Sequence, residues 1–211
     1  MIQMILNAYL DNVYLTIKFI GNPEKSIFLF VGRNQSSQEL LSLYQGNEFI
    51  KNTYRLYVLS PEKEWYPKPH GITNQKSALK GLERTSLQMQ SLIRELVTTD
   101  NLNTNQIILS GFSAGAVVAF DLFLNGKYKS MISHNGTILD VQSIKPSKSL
   151  SPILMIHNRD DEIFTWEERY LPAKNTLLKQ EYNLSAIEKF NGGHSVSKED
   201  IDYVSVFLNQ I

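Results

Sequence analysis

Gln106-Ile107-Ile108-Leu109-Ser110-Gly111-Phe112-Ser113-Ala114-Gly115, followed at once by Ala116-Val117-Val118-Ala119-Phe120-Asp121-Leu122-Phe123-Leu124, decides how this chain is read. Gln106 to Ser110 is a short apolar run with β-branched residues, the signature of a strand covered on both faces. Ala114 to Leu124 is apolar nearly all round, so it reads as a helix buried on every side. Between them stands G-x-S-x-G. A strand, a tight turn and a buried helix in that order place the Ser113 hydroxyl clear of the sheet. They also aim the helix N-terminus at whatever Ser113 attacks. A chain of this composition should show the five-residue pattern by chance only about 0.05 times, before the flanking context is required.

The rest of the chain extends this unit in both directions. Val13, Leu15, Ile17 and Phe19 alternate with polar residues, so Gln3 to Tyr9 and Val13 to Ile20 read as an antiparallel pair turning at Leu10-Asp11-Asn12. Ser26 to Val31, Tyr54 to Leu59, Met131 to Asn135, Ile153 to His157 and Leu184 to Lys189 complete about eight strands. Leu79, Leu82, Ser86, Met89, Ile93 and Leu96 form one stripe of a helix spanning about Thr73 to Thr99. A last helix runs from Lys198 to Ile211, with Ser197 as its N-cap. The expected fold is therefore α/β: a mostly parallel twisted sheet with helices on both faces, folded as a single domain over residues 1–211. The site should lie at the C-terminal ends of the strands. Between Ser113 and the next acidic loop only the polar stretch 136–151 is uncommitted, which leaves no room for a cap domain.

Composition narrows the class. The chain has 21 Lys and Arg against 21 Asp and Glu, and the resulting zero net charge argues against a nucleic-acid partner held by phosphate neutralisation. With no cysteine there is no disulfide, thiolate metal site or thiol nucleophile. The N-terminal apolar run is short and lacks a basic region, so no signal peptide is expected. No apolar run is long enough for a transmembrane segment, and a cytoplasmic location is the default. Oligomeric state is not legible, although the edge of the N-terminal hairpin could pair with another chain.

A serine nucleophile needs a base and an orienting acid, which follow it in the order acid, then histidine. Of His70, His134, His157 and His194, the last stands in the glycine-rich loop Asn191-Gly192-Gly193-His194-Ser195, after the last strand and before the last helix. His134 and His157 end apolar strands and read as core histidines, while His70 comes too early. Asp160, Asp161 and Glu162 form the acidic loop after Ile153 to His157. Asp161 is the choice for the acid, Asp160 its rival and Asp140 a distant third. Trp65 and Trp166 are candidate aromatic walls for a substrate.

Gly111-Phe112-Ser113-Ala114-Gly115, Pro152-Ile153-Leu154-Met155-Ile156-His157 with Asp161 four residues on, and Gly192-Gly193-His194-Ser195 together resemble the small carboxylesterase/phospholipase family of the α/β-hydrolase superfamily, which includes the acyl-protein thioesterases. The resemblance spans about Ser26 to Ile211. It implies a serine esterase with Ser113, His194 and Asp161 as its triad, acting on a small-molecule ester or thioester with no metal or organic cofactor. It also favours Asp161 over Asp160. The family's usual His-Gly-x-Gly after the third strand is Val31-Gly32-Arg33-Asn34 here, so the oxyanion donors implied are the backbone amides of Arg33 and Ala114. The Arg33 side chain is either a receptor for a substrate carboxylate or phosphate, or a solvent-facing loop arginine.

Overall fold

The computed structural model describes residues 3–10, 13–20, 25–68, 71–146 and 150–211, with the side chains of 3–20 and 71–74 excepted. The strands are β1 (Gln3–Leu10), β2 (Val13–Ile20), β3 (Lys25–Phe30), β4 (Tyr54–Pro61), β5 (Ile107–Phe112), β6 (Ser130–His134), β7 (Ile153–Asn158) and β8 (Leu184–Lys189). They form one sheet in the order β1-β2-β4-β3-β5-β6-β7-β8. The six strands from β4 to β8 in that order are parallel, and β2 and β1 extend the sheet antiparallel at one edge. Asp11, Asn12 and His70 lie outside the described residues.

Each central strand is apolar on both faces because each face carries helices. On β3, Phe28 and Phe30 enter one core while Ile27 and Leu29 enter the other. The first core holds α3 (Gly71–Thr99), α4 (Ala114–Asn125) and α5 (Leu171–Lys179), through residues such as Met89, Phe120 and Leu177. The second holds α1 (Ser37–Gln45), α2 (Glu48–Thr53) and α6 (Lys198–Leu208), through Leu40, Tyr44, Ile50, Ile201 and Val204. Burying one such side chain contributes about 1.5–3 kcal/mol, so the two cores supply the main driving force. α4 is the helix apolar on every side, and nine of its residues are buried. Among the described residues, no helix is long and apolar enough to cross a membrane.

Two differences from the sequence reading have local causes. α1 and α2 are short and cover the sheet with only a few side chains each, so neither produces a long stripe. α1 is nevertheless announced by its capping box, in which Ser36 accepts from the first turn and Glu39 reaches back to the Ser36 amide. The last helix stops at Leu208, three residues short of the expected end. Ser197 caps its start as expected, reciprocally with Asp200. Between β6 and β7 the described residues form only the 3-10 turn Val141–Ser143, and no cap helix.

Beneath the C-terminal edge of the sheet, the Tyr44 hydroxyl links Ser110 Oγ at 2.5 Å to His134 Nε2 at 2.9 Å, tying α1 to β5 and β6. Burial pushes His134 down from 6.5 to about 4, which keeps it neutral. The unfolded chain binds this proton near pH 6.5 and the folded one only near pH 4. The stability His134 confers is therefore complete above 6.5 and lost as pH falls toward 4. Urea unfolding should show wild-type stability declining across that window. His134→Gln, which retains a partner for Tyr44 but does not titrate, should show a shallower decline.

Candidate active site

Ser113 occupies the turn between β5 and α4 with φ 55° and ψ −124°, a backbone conformation that costs a non-glycine residue about 1–3 kcal/mol. The turn is held by the Ser113 amide, which donates to His134 O at 3.0 Å, and by the Ser113 carbonyl, which accepts from Ala116 and Val117. The two flanking glycines are required by close approach. A Cβ at Gly115 would lie 2.3 Å from Phe30 O, and one at Gly111 would lie 2.6 Å from the Ala116 backbone. Ser113 is 6% exposed, so its hydroxyl meets solvent only through the cleft above it.

The structure brings Ser113, His194 and Asp161 together. His194 Nε2 is 2.7 Å from Ser113 Oγ, and His194 Nδ1 is 2.8 Å from Asp161 Oδ2. The other carboxylate oxygen of Asp161 accepts from the Ile163 and Phe164 amides at 2.7 and 2.9 Å, which leaves Oδ2 facing the imidazole. Burial alone would raise the Asp161 pKa. The hydrogen bonds from His194, Phe164 and Ile163 outweigh it and hold the carboxyl below its ordinary value. Phe112 and Phe164 pack on the His194 ring, with centroids 4.9 and 5.9 Å away.

Asp160 does not reach the imidazole. Its two carboxylate oxygens accept from the Gly192 and Gly193 amides at 3.2 and 3.1 Å. Asp140 caps the 3-10 turn that follows it. His134 and His157 are buried under the sheet edge, His134 against Tyr44 and His157 stacked on Tyr170. Among the described residues, no group of three or more His, Asp or Glu is arranged to hold a metal ion.

The loop carrying His194 is clasped by side chains that the sequence reading did not single out. Asn135, at the end of β6 with φ 43°, donates from Nδ2 to Ser195 O at 2.5 Å and accepts at Oδ1 from the Asn158 amide at 2.8 Å. Asn158 Nδ2 donates to Gly193 O at 2.8 Å. Gly192 and Gly193 both have positive φ, and a Cβ on Gly192 would press into the Asn158 amide group. With Asp160, three polar side chains from two adjacent strand ends thus fix the loop. The available signal was position alone: a polar residue terminating an apolar parallel strand at the edge where ligands bind.

The cleft above Ser113 has a volume of about 400 Å³ and is lined by Ser113, His194, Ala114, Tyr66, Ile138, Leu139, Ile163 and Phe164, with Arg33, Lys68, Glu162 and Arg169 among its polar residues. Two more voluminous cavities, of about 520 and 760 Å³, contain neither Ser113 nor His194. The two tryptophans expected as cleft walls do not line it. Trp65 is buried with its indole donating to Val31 O at 2.8 Å, and of the two neighbours it is Tyr66, itself 4% exposed, that borders the cleft. Trp166 stacks on Tyr170 and beneath the Arg159 guanidinium, which leaves Phe164 as the aromatic beside His194. The Arg33 side chain is neither solvent-facing nor free to bind a substrate anion. It pairs with Glu64 and donates to Tyr66 O at 2.9 Å, pinning that segment to the loop after β3.

If the clasp holds His194 in place, Asn135→Ala and Asp160→Ala should each slow covalent labelling of Ser113 by a fluorophosphonate by about 10- to 100-fold, as a displacement of roughly 1 Å would. Asp160→Asn, which retains one acceptor oxygen, should recover part of the loss.

Comparison with known proteins gives the family and the fold. Residues 52–211 match the phospholipase/carboxylesterase family. Among solved structures, a carboxylesterase from Mesorhizobium loti superposes with a TM-score of 0.79 at 16% identity, covering 97% of this chain and 99% of that one. The esterase PE8 gives 0.77 at 20% identity, with 90% and 94% covered. Acyl-protein thioesterase 2 of Zea mays gives 0.72 at 14% identity, with 93% and 97% covered. At such identities these likenesses speak for the fold, whereas the family match rests on this chain's own sequence. The chain belongs to the phospholipase/carboxylesterase family of the α/β-hydrolase superfamily.

Proposed function

We propose that this hydrolase is a serine esterase that cleaves carboxylic esters of small acyl or aryl groups through an acyl-enzyme on Ser113. The observation that carries this reading is the unbroken hydrogen-bond chain Asp161–His194–Ser113 at the floor of the 400 Å³ cleft. Ser113 Oγ attacks the ester carbonyl while His194 Nε2 takes its proton. Asp161 keeps the proton of Nδ1 directed at itself and stabilises the imidazolium that forms. The amides of Ala114 and Arg33 receive the oxyanion. Among the described residues neither is given to a protein acceptor, whereas the neighbouring Gly32 amide is spent on Gln35 Oε1 at 2.9 Å. His194 then protonates the leaving alcohol, and afterwards draws a proton from water to release the acid.

A second reading concerns longer chains, as in a lysophospholipase or an acyl-protein thioesterase. Ile138 and Leu139 line the cleft and also the 520 Å³ cavity beside α3 and α4, whose lining mixes Leu79, Leu82, Val117 and Leu124 with polar residues such as Glu83 and Asp121. A series of p-nitrophenyl esters from acetate to palmitate separates the two. Falling kcat/KM with length supports the small-ester reading, and a maximum at long chains supports the second.

Ser113→Ala should lower kcat for p-nitrophenyl butyrate by about 10³-fold or more, and Asp161→Asn by a comparable factor, with KM little changed. A fluorophosphonate should label wild type at Ser113. A wild type that is neither labelled nor active overturns the reading in favour of a binding protein on a hydrolase scaffold, and undiminished turnover in Ser113→Ala overturns Ser113 as the nucleophile.

A further inference from the structure

The cleft carries more positive charge than ester hydrolysis uses. Three cations line it, Arg33, Lys68 and Arg169, against one carboxylate, Glu162. Arg33 is neutralised by Glu64 and bonded to Tyr66 O. Arg169 has no such arrangement. It is half-buried, yet among the described residues its guanidinium meets no carboxylate and no hydrogen-bond acceptor. Glu162 shares the cleft but pairs with none of the three among those residues.

The backbone around Arg169 is unusual in a way that bears on where its side chain goes. Trp166–Tyr170 forms a π-helical turn, in which the amides of Arg169 and Tyr170 both donate to Thr165 O, at 3.0 and 3.2 Å. Such turns insert a residue into the helical period and are common at functional sites. Here the turn lets Tyr170 remain fully buried, stacked on His157 at 4.3 Å, while the adjacent Arg169 lines the cleft. Thr137, also on the cleft, donates to the Arg169 carbonyl at 3.4 Å. The Arg33 guanidinium lies over the Tyr66 ring, 5.9 Å from its centroid, on the same cleft that Arg169 lines. No nitrogen of Arg169 is among the buried atoms without a partner, so its guanidinium is open, on the cleft, to an anion that can accept its paired donors.

We propose that Arg169 receives an anionic group of the substrate, a carboxylate or a phosphate, so that the preferred esters carry a negative charge within the same cleft as the scissile bond. This rests on the esterase reading of Ser113. Lys68, which likewise meets no carboxylate among the described residues, adds to the field that draws such substrates in.

Two matched pairs test it and separate the two anions. The first is mono-p-nitrophenyl glutarate against p-nitrophenyl valerate. The second is 1-butyrylglycerol 3-phosphate against 1-butyrylglycerol. Wild type should favour the charged member of at least one pair by about tenfold or more in kcat/KM, as a charge-assisted bidentate contact implies. That ratio should shrink in high salt. Arg169→Gln should bring it to within about twofold of unity, and Arg169→Lys should retain part of it. A wild-type ratio near one in both pairs, or an undiminished ratio in Arg169→Gln, overturns the proposal. Calorimetric titration with glutarate and with glycerol 3-phosphate distinguishes this failure from failure of the esterase reading. Saturable binding that Arg169→Gln abolishes supports the anion site even in a protein that hydrolyses none of the four esters. Absence of binding together with absence of turnover overturns both.

Discussion

The positive φ of Ser113 is the constraint on which the rest of this molecule depends. A serine held at 55° is strained, and the strain persists because the chain on both sides is committed elsewhere. β5 is paired on both edges, to β3 and β6, and α4 is buried against the sheet along most of its length. Neither can relax to relieve one residue. Gly111 and Gly115 remove the side chains that would otherwise stand between helix and strand, and the Ser113 amide is tied across to β6. The result is a hydroxyl that projects from the sheet edge beside His194 Nε2. This is a preorganised arrangement whose ordering cost is met during folding rather than during reaction.

The histidine is secured by different means. His194 stands on a loop, and two glycines with positive φ leave that loop little intrinsic order. Its position comes from polar side chains at the ends of β6 and β7. Those strand ends are rigid because the strands beneath them are packed on both faces. Asn135, Asn158 and Asp160 convert that rigidity into a fixed loop through hydrogen bonds to backbone groups, which depend little on the loop's own side chains. Asp161 is held likewise, one oxygen bonded to two amides and the other left for the imidazole. Adjacent aspartates thus divide the work: Asp160 holds the loop and Asp161 orients the ring.

Charge distribution follows a similar logic. A chain of zero net charge still places three cations and one carboxylate on a single cleft. The arginine nearest the expected oxyanion loop is a structural brace, because Glu64 and the Tyr66 carbonyl lie within its reach. The arginine contributed by the π turn, far along the sequence, is the one without an acceptor among the described residues.

Much of the fold was legible before any coordinates. Apolar runs covered on both faces, the stripe of α3 and the all-round apolar α4 are local patterns, each set by burial over a few residues. The pattern G-x-S-x-G identified its serine because that turn demands small neighbours whatever surrounds it. The downstream order of acid and histidine, together with the family resemblance, then singled out Asp161 and His194. What the sequence could not contain is direction. Trp65 and Tyr66 are adjacent and equally buried, and only the packing of the loop decides that the indole donates to Val31 O while Tyr66 borders the cleft. Asn135, Asn158 and Asp160 are unremarkable polar residues until the strand order β5-β6-β7 sets their ends beside one loop. Arg33 and Arg169 are equal in sequence, and differ because, among the described residues, one finds a carboxylate within reach and the other does not. Local chemistry is written along the chain, whereas the partner each group meets is decided by contacts between residues distant in it.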